Sequence, residues 1–295
     1  MAQGRVGIIG GSGLGQALGS LLTHSESKEV ETPFGRPSAP ILTGEIAGVP
    51  VALLPRHGHG HVYNPSVVPY RANLFALKTL GVTHLLTTSA VGSLREEIAP
   101  RDLVVPDQVI DRTHRRASTF FDDLVVHVEL ANPWCSHLRE DLLVAARQTS
   151  STVHEGGTLV VMEGPQFSTR AESELHRSWG ANLIGMTSQP EAKLAREAEL
   201  CCATLLLPTD YDCWRPHKGE LDRHELLREI IGNLEAATHR ALETLKRALP
   251  LVAARFDTPC SCQSALELGV WSERSRIDPK QLERLTPLLG RALKY

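Results

Sequence analysis

Short apolar runs closed by glycine, proline or hydroxyl residues recur along the chain. They lie at Val6 to Ile9, Val49 to Leu54, His84 to Thr88, Asp102 to Pro106, Thr158 to Met162, Asn182 to Thr187 and Ala203 to Pro208. Runs of this kind predict buried strands. Helical spacing fills the stretches between them. Leu74, Leu77 and Leu80 share a face that stops at Gly81, while Ala171 to Trp179 and Glu191 to Ala198 read as shorter helices. Leu226, Leu227, Ile230, Leu234, Ala237, Ala241, Leu242 and Leu245 mark a long amphipathic helix over 222–249. Strands alternating with helices predict an α/β protein. No internal repeat or low-complexity linker divides the chain. Its 295 residues suffice for one large domain or two small ones.

Polar residues gather where these strands end. Gly10-Gly11-Ser12-Gly13-Leu14-Gly15 follows the first strand. Its glycines let backbone amides approach an anion, and Ser12 adds a hydroxyl donor. The spacing fits no dinucleotide fingerprint, because Gln16 and Leu18 stand where the third glycine would fall. No Gly-Lys-Ser/Thr follows to make a P-loop, which leaves a loop for a single phosphate or a plain tight turn. The second strand ends in Arg56-His57-Gly58-His59-Gly60-His61. Arg56 has a planar fork suited to phosphate. The three histidines lack an acidic or cysteine partner nearby, so an oxyanion site using Arg56 and His57 is preferred to a metal. Thr88-Ser89-Ala90-Val91-Gly92-Ser93 is a third strand end of this type, and ligands of α/β sheets collect at such ends. Phe167, after Gly164-Pro165, is either a stacking surface for a flat ligand or a loop anchor. Beyond the Ala203 strand, Asp210 and Asp212 share one side if the chain stays extended. Carboxylates at a buried strand end need donors, from an arginine, a metal or a ligand.

Composition narrows the function. Apolar residues make up 42% and charged residues 22%, and the net charge of −3 with no basic stripe argues against nucleic acid as the main partner. The apolar runs are too short to span a bilayer, and Met1 to Arg5 leads straight into a strand, which predicts a cytoplasmic protein with no membrane partner. Six cysteines do not make a disulfide scaffold at this length. Cys135 and Cys213 read as isolated small fillers, and the adjacent Cys201 and Cys202 point opposite ways.

Taken together, Gly10-Gly-Ser-Gly, Arg56-His-Gly, Ser89-Ala-Val-Gly-Ser-Leu-Arg-Glu-Glu, Glu163-Gly-Pro-Gln-Phe-Ser, Gly185-Met-Thr and Thr209-Asp-Tyr-Asp-Cys-Trp carry a resemblance. In order, and over roughly 5–250, the chain resembles the 5′-methylthioadenosine phosphorylases of the trimeric purine nucleoside phosphorylase family. The resemblance implies a single domain with a twisted, partly closed mixed β-sheet flanked by helices, assembled as a trimer or hexamer. It implies phosphate, a co-substrate, held by Ser12, Arg56, His57, Ser89 and Thr187. Ala90, Phe167, Met186 and Leu227 would line the nucleoside, with His127 closing the 5′ side from a neighbouring subunit. Asp210 and Asp212 would be the catalytic pair, reading N7 and the 6-amino edge of adenine. No metal and no organic cofactor enters such a scheme, since phosphorolysis needs a positioned dianion and an acid for the departing purine.

Two features depart from that pattern. Arg223 stands where an apolar side chain is expected, so it either snorkels on the surface or makes the 5′ pocket polar. A nucleoside phosphorylase domain over 1–250 is followed by an extension over 251–295 with Cys260-Ser-Cys262 and a short helix opened by Asp278-Pro279. Two thiols are too few for a structural zinc, so the motif reads as a packing device with reducible thiols. A broader purine nucleoside phosphorylase acting on adenosine is the alternative enzyme. A catalytically silent nucleoside- or phosphate-binding protein is the alternative outside catalysis.

Overall fold

The computed structural model describes residues 4–11, 14–215 and 223–292. Its strands are β1 (Arg5–Gly10), β2 (Thr23–Lys28), β3 (Ile41–Ile46), β4 (Val49–Pro55), β5 (Val82–Ser93), β6 (Leu103–Val105), β7 (Gln108–Asp111), β8 (Val153–Glu155), β9 (Thr158–Val161), β10 (Leu183–Gly185) and β11 (Cys201–Asp210). Its helices are α1 (Leu14–Gly19), α2 (Tyr70–Thr79), α3 (Ser136–Arg147), α4 (Arg170–Ser178), α5 (Glu191–Glu197), α6 (Arg223–Ala253), α7 (Pro279–Arg284) and α8 (Thr286–Leu289). The strands form one mixed sheet with the order β2-β3-β4-β1-β5-β10-β9-β7, and a branch in which β11 pairs with β5 and β6, and β6 with β8. The α/β class holds, with helices flanking an eleven-stranded sheet. The expected partial closure does not, because the branches diverge from β5 and their outer strands meet no further partner among the described residues.

Both faces of the sheet are buried, which is why its central strands read as continuous apolar runs. Ile9, Leu85 and Leu206 point into a core shared with α2, α5 and the C-terminal helices. Their neighbours Ile8, Leu86 and Leu205 point into a second core under α3 and α6. Four strands (β2, β3, β7 and β8) and two helices (α1 and α3) were not expected. β2 is exposed throughout and carries no apolar residue, and β7 and β8 span only four and three residues. β6 and β9 were anticipated despite similar brevity because each carries a Leu-Val-Val run.

The tail does not stand apart. α6 runs past residue 250 to Ala253, and Arg255 then pairs with Asp141 and Glu140 of α3 at 2.8 and 3.0 Å. Leu266, Leu285, Leu288 and Leu289 complete the first core. Val126 bridges to Val270, tying the tail to the segment that carries His127. Cys135 is no isolated filler, because its sulfur lies 3.7 Å from that of Cys260. Cys213, by contrast, stays near the C-terminal end of β11 and points its thiol at the Ser168 carbonyl.

One side chain locks that end of β11 to α6. Asn233, buried on α6, donates to the Thr209 carbonyl at 2.8 Å and accepts from Arg101 Nε at 2.7 Å. Asn233→Ala should leave a buried carbonyl unsatisfied and lower unfolding free energy by about 1–3 kcal/mol. Urea denaturation measures this, and an unchanged midpoint would exclude the locking role.

Candidate active site

The site forms where β5 changes neighbours. Along one edge β5 pairs with β1 as far as Thr87, and with β10 only from Gly92. Along the other edge β11 pairs with it up to Gly92, with one bulge at Thr209. Thr88 to Val91 therefore have one backbone edge free of strand pairing, at the position where an α/β sheet offers polar groups to a ligand. Thr88 presents its carbonyl to Arg56 Nη1 at 2.8 Å and its hydroxyl to the Gly11 N–H at 3.5 Å. Ser89 and Thr187 share a hydrogen bond between hydroxyls at 2.8 Å, both buried. Ala90 is exposed beside them. Ser12 lies outside the described residues.

Arg56 is committed differently from expectation. Its Nε and Nη2 meet the two carboxylate oxygens of Glu191 at 2.6 and 2.9 Å, and both side chains are 1% exposed. The planar fork thus grips a protein carboxylate, not an incoming phosphate. With Nη1 on Thr88, these bonds use three of the five guanidinium N–H groups, and a Cβ on Gly11 would lie 3.6 Å from Nη1. Burial alone would weaken the cation, yet the Glu191 carboxylate raises its proton affinity above the ordinary arginine value. His57 is likewise not a cationic donor. Burial and the adjacent Arg56 push it down to about 4, so the ring is neutral near pH 7. Its Nδ1 donates to the Tyr63 carbonyl at 2.7 Å, which leaves Nε2 as an acceptor. The His61 ring stacks on that of His57, with centroids 4.1 Å apart.

The two carboxylates do meet, but not by strand alternation. Register slips between Pro208 and Asp210, a bulge that leaves Thr209 bonding the Val91 carbonyl and the Asp210 carboxylate. β11 ends at Asp210, and Asp212 takes a left-handed conformation at φ 50°. The Asp212 N–H then donates to Asp210 Oδ1 at 2.8 Å, folding the second acid back on the first. Gly92 makes room, since a Cβ there would sit 3.2 Å from Asp210 Oδ1 and 3.3 Å from Asp212 Cβ. Burial raises the Asp210 proton affinity, and the Asp212 charge adds to it, against the Thr209 hydroxyl and Asp212 N–H. Asp212 Oδ2 is buried without a hydrogen-bond partner among the described residues. Trp214 fastens this turn to β5 by donating to the Ser93 carbonyl at 2.8 Å, while the Arg177 guanidinium lies 3.6 Å over its ring.

A cation absent from the sequence reading holds the other wall. Arg116 donates to the carbonyls of Met186, Gln189 and Glu163, each at 2.6 Å, and to Glu163 Oε1 at 3.3 Å. Burial opposes ionisation of Glu163, but the Ser66 hydroxyl and the His114 and Arg115 N–H groups hold it down at about 2. Gly164, at φ 67°, admits the Met186 sulfur, which would come within 2.5 Å of a Cβ. The residues expected around the nucleoside are otherwise open. Phe167 is 86% and Leu227 56% exposed. His127 is exposed too, with its ring edge-on to Trp271 at 4.8 Å. Arg223 opens α6, but its side chain, like Leu221, falls outside the description.

The sequence model of the phosphorylase superfamily matches residues 5–250. The chain belongs to this superfamily. Among its relatives, an S-methyl-5′-thioadenosine phosphorylase of Cereibacter sphaeroides is 50% identical over 98% of both chains. One of Geobacter sulfurreducens is 46% identical over 97% of this chain and 98% of its own. The fold matches a crystal structure of a methylthioadenosine phosphorylase from an Antarctic soil metagenomic library with a TM-score of 0.88 and 44% identity, over 98% of this chain and 100% of that one. A Schistosoma mansoni methylthioadenosine phosphorylase in complex with adenine aligns with a TM-score of 0.78 and 36% identity, over 88% and 98%.

For this phosphorylase, the buried Arg56–Glu191 pair makes a testable demand. Arg56→Ala or Glu191→Ala alone strands a buried charge and should cost about 3–5 kcal/mol, whereas an apolar pair such as Arg56→Met with Glu191→Leu should recover most of it. Chemical denaturation of the singles and the double decides, and singles as stable as the parent would refute the buried pair.

Proposed function

We propose that the protein cleaves the N-glycosidic bond of 5′-methylthioadenosine with phosphate, releasing adenine and 5-methylthioribose 1-phosphate. One observation supports this most directly: a buried acid of raised proton affinity, Asp210, accepts from the Asp212 N–H, and Asp212 Oδ2 is buried without a donor among the described residues. A purine with a 6-amino group supplies what each lacks. Asp210 donates its proton to N7 as the C1′–N9 electron pair moves onto the ring, and Asp212 accepts the amino hydrogen. The near-full-length relatives carry the same activity in their names.

Phosphate takes the corner between Gly11, Thr88, Ser89 and Thr187, with Ser12 added from its loop. The free N–H groups of Arg56 and the hydroxyls donate to it. His57, neutral, accepts the remaining P–O–H through Nε2. A phosphate oxygen forms the new bond to C1′ as the purine leaves, and the dianion stabilises the cationic sugar between them. The Met186 backbone and Ala90 line the sugar, and Phe167 and Leu227 cover the base and the 5′ group. No metal or organic cofactor is needed for any of these steps. The active form is a homo-oligomer, a trimer or hexamer, in which His127 reaches the 5′ side of a second copy. The exposure of Phe167, Leu227 and His127 in one chain supports this.

Four outcomes test the reading. On a panel of methylthioadenosine, adenosine and their 6-oxo counterparts, adenine release should require phosphate. Asp212→Asn should cut kcat/KM for methylthioadenosine about ten- to hundredfold, the loss of a charge-assisted bond of about 1.5–3 kcal/mol, and raise the relative rate on methylthioinosine. An unchanged ratio of the two bases would remove the 6-amino assignment. The acid must be protonated to act, so kcat/KM should fall as pH rises through the raised Asp210 value, and Asp210→Asn should lose both that limb and the rate on either base. Activity should also drop when the enzyme is diluted below its assembly threshold; full turnover by a monomer seen in light scattering would exclude the shared site.

A further inference from the structure

Four sulfurs converge at the opposite end of β11 from the carboxylates. Cys135, Cys201, Cys260 and Cys262 place their Sγ atoms within 4.8 Å of one another, and three of the four side chains are buried. The Cys135–Cys260 separation is 3.7 Å. An ion bonded to four thiolates at about 2.3 Å spaces neighbouring sulfurs by about 3.8 Å, whereas a disulfide holds them at about 2.0 Å. We propose that these four cysteines form a closed tetrathiolate site for one structural zinc ion.

The ligands come from three well-held places. Cys135 precedes the first turn of α3, and its N–H donates to the Cys202 carbonyl at 2.7 Å. Cys201 opens β11 opposite His84 of β5. Cys260 and Cys262 flank the start of a 3-10 turn over Ser261–Ser264. As Zn²⁺ enters, four S–H groups each lose a proton, giving a tetrathiolate of net charge −2. The positive N-terminal end of α3 faces that charge. Soft sulfur donors in a tetrahedral set with no open position select zinc for a structural role. Asp210 lies nine residues along β11 from Cys201, roughly 30 Å at strand rise, so the ion takes no part in the chemistry. Instead it clips the tail to the sheet, across loops whose closure entropy is otherwise large.

The test uses full-length protein purified without chelator. Elemental analysis and thiol titration after denaturation with chelator should find about one zinc per chain and all six cysteines reactive. Cys262→Ser should lose the zinc, while Cys202→Ala, altering the thiol on the other face of β11, should keep it. Stripping zinc from the parent should lower Tm, and restoring zinc should recover it, so the proposal does not depend on a variant that folds. Two disulfides with four thiols missing, six free thiols without metal, or iron in place of zinc would each overturn the assignment.

Discussion

Everything in the site follows from how β5 fills its backbone hydrogen bonds. A central strand that loses one neighbour before gaining the next must satisfy its exposed edge by other means. Here Arg56 takes the Thr88 carbonyl, and its remaining charge is held in place by Glu191 from α5. The gap in the ladder is thus a gap only for strands. The same interval puts Ser89 within reach of Thr187 on the chain leaving β10, so hydroxyls from separate elements converge without a long loop. On the other edge, β11 bulges at Thr209 and carries Asp210 past the gap to Gly92. The donor corner and the acid pair are therefore two edges of one strand.

Much of this was legible in the order of residues. Val49 to Leu54 and Ala203 to Pro208 announce their strands because both faces of the sheet are covered, and the strand-end motifs named most of the polar groups that the fold assembles. What could not be read is long-range pairing. Glu191 is separated from Arg56 by 135 positions, and nothing local marks an acid at a helix start as the mate of that arginine. Arg116 is hidden for the same reason, since its main partners are carbonyls, which every residue has. The acids at 210 and 212 do lie together, but the geometry that joins them is a bulge and a left-handed residue, which alternation does not anticipate. The third helix is a plainer omission: Leu138, Leu142, Ala145 and Ala146 have helical spacing. Counting cysteines by nearness in sequence gave two thiols in the tail where space holds four.

The two walls differ in how firmly they are built. The one around Arg116 and Glu163 is saturated with internal hydrogen bonds, so Met186 and the loop after β9 are set before anything binds. Phe167, four residues beyond Glu163, is left standing in solvent. Rigidity is concentrated at the wall proposed to align the sugar, and apolar exposure at Phe167, where a lid or a neighbour can add cover.

The pairing of Arg56 with Glu191 also sets the electrical character of the corner proposed for phosphate. The arginine arrives already neutralised, and His57 beside it carries no charge near pH 7. An anion there meets oriented dipoles, not a bare positive field. Such dipoles act over short range, so they discriminate by shape more than by charge and are little screened by dissolved salt. The corner is suited to an ion that must come and go in every cycle. A fully unpaired guanidinium would bind any phosphate ester more tightly and release it more slowly.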